Sequence, residues 1–104
     1  MKWLKDINNR AIRLTPEREK HFEADHPEMV GQINKIQETL LHPDAIIKSK
    51  TDTTVELFYK HYRSTPVGEK YLCIVVKQTQ DTFILTSYFT DTIKKGNALW
   101  KIKK

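Results

Sequence analysis

Alternating hydrophobic and polar residues mark three segments in the second half of the chain. Residues 54–62, 70–77 and 82–89 are rich in β-branched and aromatic side chains and are bounded by turn-forming sequences. The connections between them, residues 64–68 and 78–81, are short, which implies antiparallel neighbours. The segment Ala45–Lys48 has the same character over a shorter length. The pattern therefore predicts a four-stranded antiparallel sheet.

The first half of the chain predicts two helices. Thr15-Pro16-Glu17 combines a hydroxyl cap, a proline at the first helical position and an acid near the positive helix end, so a helix begins there and runs to about Asp25. Between residues 27 and 41 apolar residues recur at helical spacing, and His42-Pro43 ends the pattern. This stripe consists of Met29, Ile33, Ile36 and Leu40. We expect an α+β fold with two N-terminal helices packed on one face of the four-stranded antiparallel sheet.

Alternation also assigns the two faces of the sheet. One face, expected to meet the helices, carries Leu72, Ile74, Val76, Phe83, Leu85 and Phe89. The other face mixes aromatic, hydroxyl and basic groups: Tyr71, Cys73, Val75, Lys77, Thr82, Ile84, Thr86 and Tyr88. This second face is where we expect a ligand to bind.

The 104 residues of the chain have the size of one domain, 1–104. We expect residues 1–11 and 101–104 to be loosely ordered, although residues 10–14 alternate and could form a short strand.

Charge is distributed unevenly along the chain. Residues 1–52 hold nine basic and nine acidic side chains, whereas residues 53–104 hold nine basic and four acidic ones, so the whole net charge of +5 lies in the second half. Such an excess favours a polyanionic partner, and a basic solubilising surface is the alternative.

Several classes of protein do not fit the sequence. The longest apolar run, residues 72–76, is far shorter than a membrane span, and the N-terminal residues lack the apolar core of a signal peptide. The single cysteine allows no internal disulfide, and no ligand spacing typical of a metal site occurs. We therefore expect a cytoplasmic protein with no metal, no cofactor and no membrane partner.

A series of short motifs resembles a known superfamily. The motifs are residues 14–18 (LTPER), 26–29 (HPEM), Pro43-Asp44, 71–77 (YLCIVVK) and 86–96 (TSYFTDTIKKG). In this order they resemble phage-associated nuclease-like domains of the barnase, EndoU, colicin and RelE superfamily, over roughly residues 12–100. The resemblance implies helices on a four-stranded antiparallel sheet and a metal-independent ribonuclease, toxin- or effector-like, that acts on tRNA or mRNA. It also implies an antidote or immunity protein as a possible partner.

Metal-free cleavage of RNA needs a base for the ribose 2′-hydroxyl, an acid for the leaving oxygen and cations for the phosphorane, and it yields a 2′,3′-cyclic phosphate. His26 is the candidate base, because Pro27 is expected to open a helix whose positive end would keep the imidazole neutral; closing the corner between two helices is its alternative role. His61 is a candidate acid. Arg63 and Lys77 are the candidate phosphate contacts. Thr86 is a candidate functional hydroxyl, since the resembling family often places one at the end of the last long strand.

Aromatic and basic residues of the second half could bind RNA without cleaving it. Tyr62, Tyr71 and Tyr88 could stack on unpaired bases, although aromatic residues also fill ordinary cross-strand positions. Lys94 and Lys95 could contact the phosphate backbone. The hypotheses are therefore an endoribonuclease, a non-catalytic nucleic-acid-binding module, and a phage-borne protein-interaction domain on the same fold.

Overall fold

Seven strands form one mixed β-sheet, and the helices lie on one side of it. The structure, a computed structural model, describes residues 1–102. Its elements are β1 (Lys2–Lys5), β2 (Ala11–Leu14), α1 (Pro16–Asp25), a 3₁₀ turn (Pro27–Met29), α2 (Ile33–Leu41), β3 (Ala45–Lys48), β4 (Val55–Tyr62), β5 (Lys70–Gln78), β6 (Thr82–Thr90) and β7 (Asn97–Lys101). The strand order is β1-β2-β6-β5-β4-β3-β7, and all neighbours are antiparallel except β2 and β6, which are parallel.

The expected four-stranded antiparallel sheet behind two N-terminal helices is wrong. A β1–β2 hairpin precedes the helices and joins the sheet through a single parallel pairing, Arg13 with Phe83. At the other edge, β7 returns to pair with β3. The terminal segments thus supply both edge strands: β1 lies within residues 1–11, which we expected to be loosely ordered, and β7 ends at Lys101, the first residue of the other such segment. Residues 103 and 104 of the expected loose C-terminus lie outside the described residues.

Helix α1 begins where its sequence directs it, whereas α2 begins at Ile33, six residues after the expected Pro27, and has no side-chain cap. The Thr15 hydroxyl accepts a hydrogen bond from the backbone N–H of Arg18, and Pro16 occupies the first helical position, as the sequence predicts. Phe22 of α1 and Ile36 and Leu40 of α2 are buried. They pack against the helix-side face of the sheet, whose core residues include Leu4, Ile12, Leu14, Ile46, Phe58, Leu72, Ile74, Val76 and Ile84.

The face assignment is right for β5 and half wrong for β6. A register shift between Val75 and Val76 places Ile84 opposite Val76 and Thr86 opposite Val75. Because side chains alternate with period two, this one-residue irregularity exchanges the two faces on its N-terminal side. Ile84 is therefore buried in the helix-side core, whereas Leu85 packs with the residues of the opposite face.

The face of the sheet away from the helices carries a second apolar cluster. We call it the open face; its buried members are Ala45, Ile47, Val55, Leu57, Tyr59, Cys73 and Val75. Among residues 1–102, no helix is long and apolar enough to cross a membrane.

Candidate nucleic-acid interface

A connection runs across the open face between β6 and β7. Residues 91–96, the crossing segment, must pass over β5, β4 and β3, because β7 is four positions away from β6 in the sheet. The backbone N–H of Lys94 donates to the Tyr59 hydroxyl at 3.2 Å, and Ile93 packs against the open-face cluster. Gly96 lies so close to β3 that a Cβ would be 2.5 Å from the Lys48 carbonyl oxygen. The segment is thus fixed at its middle and at its end.

A groove lies between the crossing segment and the turn formed by residues 49–52. Its floor is apolar, formed by Val55, Leu57, Val75 and Leu85, and the side chains of Thr86 and Tyr88 line it as well. The concavity measures about 530 Å³. We call it the lysine groove, because Lys50, Lys94 and Lys95 also line it. A planar apolar group would fit against this floor with polar groups within reach.

The three lysines of the groove carry uncompensated charge. All three are exposed, and none of them forms an ion pair within residues 1–102. Asp52 is the only acid that lines the groove in the described part of the chain, and it is already paired with Lys77 at 2.6 Å. Hydrogen bonds from Lys77 and Thr54 hold the pKa of Asp52 well below its usual range. The local field is therefore positive at neutral pH.

Beside the groove, a row of three side chains crosses the sheet, of which Tyr59 and Cys73 are buried and Tyr88 is partly buried. Tyr88 is paired with Cys73, and Cys73 with Tyr59, in adjacent strands. Burial raises the pKa of Cys73 to about 11 and also raises the pKa of the Tyr59 and Tyr88 hydroxyls above their ordinary value. All three groups are therefore neutral at physiological pH. Cys73 is a buried thiol with little nucleophilic character.

His26 lies at the edge of the sheet beside Tyr88. The two ring centroids are 5.5 Å apart, and His26 Nδ1 is 3.6 Å from a carboxylate oxygen of Glu28. Pro27 opens a 3₁₀ turn of three residues, and α2 begins only at Ile33. The helix end that was expected to keep His26 neutral is therefore absent from this corner.

The other predicted catalytic residues lie in two separate places. Lys77 and Thr86 are at the groove end of the sheet, where Lys77 pairs with Val55. Arg63 is exposed and follows β4 at its opposite end, eight residues from Val55, which corresponds to roughly 26 Å along a strand. The structure therefore does not bring the predicted catalytic set into one site.

His61 belongs to a second, smaller concavity at that far end. His61 Nε2 is 2.8 Å from Glu69 Oε2, and its ring meets Tyr71 edge to face at 5.5 Å. The concavity measures about 350 Å³ and is also lined by Asp44 and Lys101. Within residues 1–102, no group of three or more His, Cys, Asp or Glu side chains is arranged to hold a metal ion.

The predicted stacking residues divide between the two faces. The ring of Tyr62 packs against the helix-side core, and its hydroxyl donates to Glu38 at 2.7 Å, so this tyrosine holds α2 on the sheet. Tyr71 and Tyr88 both lie on the open face. Lys94 and Lys95, the predicted contacts of a phosphate backbone, line the groove, whereas Lys50 was missed because it lies in a turn with no periodic pattern.

No family model, no curated protein and no solved structure matches this chain. The resemblance to the nuclease-like superfamily therefore stays a prediction from its motifs.

Proposed function

We propose that the protein is a cytoplasmic RNA-binding module that holds single-stranded RNA in the lysine groove. The observation that carries the proposal is the placement of three exposed, unpaired lysines around an apolar concavity. In this arrangement Lys50, Lys94 and Lys95 contact phosphates, and a base lies against the floor of Leu57 and Val75. Single-strand binding sites combine a positive groove with aromatic side chains on which bases stack, and Tyr88 lines this groove.

The shape of the site favours a ligand over a solubilising surface. Lysines that only maintain solubility need no concave apolar floor between them, whereas here Leu57, Val75 and Leu85 form one. An apolar ligand alone would not need the cations either. Unpaired nucleotides carry both an apolar base and a phosphate, so they complement both parts of the groove.

Binding of a fluorescently labelled oligouridylate of about 12 nucleotides, within the range of roughly 4–16 for single-strand sites, tests the proposal by anisotropy. Lys94→Ala and Lys95→Ala are expected to weaken binding, and the matched control Lys20→Ala, an exposed lysine on α1, is expected to leave it unchanged. Equal losses in all three variants would contradict a localised site. Duplex RNA of the same length is expected to bind more weakly than the single strand, because its bases are stacked within the double helix.

RNA cleavage is a second candidate, supported by the 5.5 Å separation between the rings of His26 and Tyr88, of which Tyr88 lines the groove. In this mechanism His26 takes the proton of the 2′-hydroxyl, the 2′-oxygen attacks phosphorus, and the 5′-oxygen leaves with a proton from a second donor. Incubation with RNA in EDTA tests it, with 2′,3′-cyclic ends as the expected product. His26→Ala is expected to lower the rate of cleavage by a factor of about 10²–10⁴, while the protein still binds RNA. Intact RNA after incubation with the parent protein would leave binding as the function. There would then be no reason to expect an antidote protein.

A further inference from the structure

The N-terminal hairpin presents an exposed tryptophan on the open face. Trp3 in β1 is 62% exposed, whereas its neighbour Leu4 is buried in the helix-side core. Side chains alternate along a strand, so Trp3 points away from the helices. Its partner in β2, Arg13, shares this face, because Ile12 and Leu14 on either side of Arg13 are buried in the helix-side core.

Trp3 begins a row of aromatic and cationic side chains that leads to the lysine groove. Paired positions run from Trp3 to Arg13, Phe83, Lys77 and Val55, and Val55 forms part of the groove floor. The guanidinium groups of Arg13 and Arg18 lie 5.8 and 5.9 Å from the centre of the Phe83 ring. The row crosses five strands, a span of roughly 19 Å at the usual strand spacing.

The charges of the row suit an anionic, aromatic ligand. Arg13 and Lys77 are paired with Asp81 and Asp52, whereas Arg18 beside Phe83 forms no ion pair within residues 1–102, so the row keeps one uncompensated positive charge. Arg13 Nη2 is 2.8 Å from Asp81 Oδ2, and Arg13 Nε is buried without a hydrogen-bond partner within the described residues. Bases stack on exposed indole rings and on arginine planes, and phosphates accept from guanidinium groups.

We propose that Trp3, together with the Arg13–Phe83 contact, is a stacking platform on which the RNA strand continues after leaving the lysine groove. The inference rests on the proposed function, since it extends the path of the same ligand. The groove alone holds a short oligomer, and a longer strand also reaches Trp3. In this proposal, an RNA base stacks on the exposed indole of Trp3 in the edge strand β1.

Tryptophan fluorescence tests the platform directly in a Trp100→Phe variant, which retains Trp3 as its only tryptophan. Titration with an oligouridylate of about 16 nucleotides is expected to quench Trp3, and one of about 4 nucleotides is expected to bind without quenching; these lengths bracket the usual size of a single-strand site. Trp3→Ala is expected to weaken binding of the longer oligomer about five- to hundredfold, the loss of one stacked base, and Trp3→Phe to restore most of it. Val30→Ala, which alters a residue of equal exposure elsewhere, is the control.

The outcomes separate the platform from the groove. If lysine variants weaken binding while Trp3→Ala and the fluorescence of Trp3 show no change, the platform is refuted and the proposed function stands. If neither oligomer binds the parent protein, the proposed function fails and the platform with it. Concentration-dependent quenching of Trp3 without RNA would identify self-association through β1 and would also overturn the platform.

Discussion

Replacement of Arg10 by methionine is expected to detach the N-terminal hairpin from the sheet. Arg10 donates to Asp6 Oδ2 at 2.7 Å, to Glu56 Oε1 at 2.6 Å and to Gln78 Oε1 at 3.0 Å, so a single guanidinium joins the loop between β1 and β2 to β4 and β5. Burial opposes its charge, but hydrogen bonds to Glu56 and Asp6 outweigh burial and raise the pKa of Arg10 above its ordinary value. Methionine fills a similar volume and removes every one of these donors.

The expected loss of stability depends on the hydrogen bonds that the Asp6 carboxylate keeps in the variant. Breaking a buried ion pair by removing one partner typically costs 3–5 kcal/mol, because the remaining charge is left without compensation. The Asp6 carboxylate is fully buried, but it still accepts hydrogen bonds from the backbone N–H groups of Asn8 and Arg10, and the Arg10 side chain is 25% exposed. We therefore expect a loss of about 2–3 kcal/mol, at or just below the lower end of this range. For a domain of this size that corresponds to a fall in Tm of roughly 8–24 °C.

Urea denaturation of a double-mutant cycle measures this coupling. Arg10→Met, Asp6→Asn and the double variant are compared with the parent, and the double variant is expected to be less destabilised than the sum of the single ones by about 1–2 kcal/mol. Hydrogen exchange of the backbone amides in β1 and β2 should accelerate more than that in β5. If the effects of the single variants were additive, or if the stability of Arg10→Met lay within about 0.5 kcal/mol of the parent, the proposed role of Arg10 in holding the hairpin to the sheet would be refuted.

Three further predictions concern the crossing segment, alkaline pH and the helix-side core. Gly96→Ala is expected to destabilise the protein by about 1–3 kcal/mol and to weaken RNA binding, because the new methyl group would meet the Lys48 carbonyl oxygen at 2.5 Å; thermal unfolding checks the first effect, and an unchanged Tm would contradict the contact. The urea midpoint should fall above about pH 9, because the pKa of Cys73 is raised to about 11 in the folded protein and the unfolded chain therefore loses this proton first; a midpoint that rises between pH 9 and 11 would contradict the burial of the thiol. Ile84→Asp is expected to unfold the domain whereas Leu85→Asp is tolerated better, because only Ile84 lies in the helix-side core; circular dichroism distinguishes the two, and the reverse order would contradict the register shift in β6.

The long strands and the start of α1 could be predicted from the sequence because their signals are local, whereas α2 begins at Ile33 and not at the expected Pro27. Period-two alternation with β-branched residues located β4, β5 and β6 to within one or two residues of their bounds. Thr15-Pro16 fixed the beginning of α1 through its hydroxyl cap. Both signals depend on neighbouring residues in the chain, so no knowledge of the tertiary structure was needed.

The edge strands and the site depend on contacts that are distant in sequence. β1 has only four residues, with Trp3 exposed and Leu4 buried, and so short a pattern carries little information about pairing. The irregularity opposite Val75 and Val76 exchanges faces without any glycine or proline to mark it. The lysine groove is formed by a turn at Lys50 and a crossing segment at Lys94, which meet only because β7 returns to the edge of β3.

The dependence of RNA affinity on salt tests the central claim most directly. A variant with Lys50, Lys94 and Lys95 replaced by alanine is compared with a control in which Lys20, Lys35 and Lys60, away from the groove, are replaced; both lose three positive charges. Each phosphate contact contributes roughly 0.7 to the slope of log affinity against log salt for single strands, so the groove variant should be shallower than the parent by about 2 between about 50 and 200 mM salt. The control should keep the parent's slope. Equal flattening in both variants would show that the binding is a response to net charge and would contradict a nucleic-acid site in the groove.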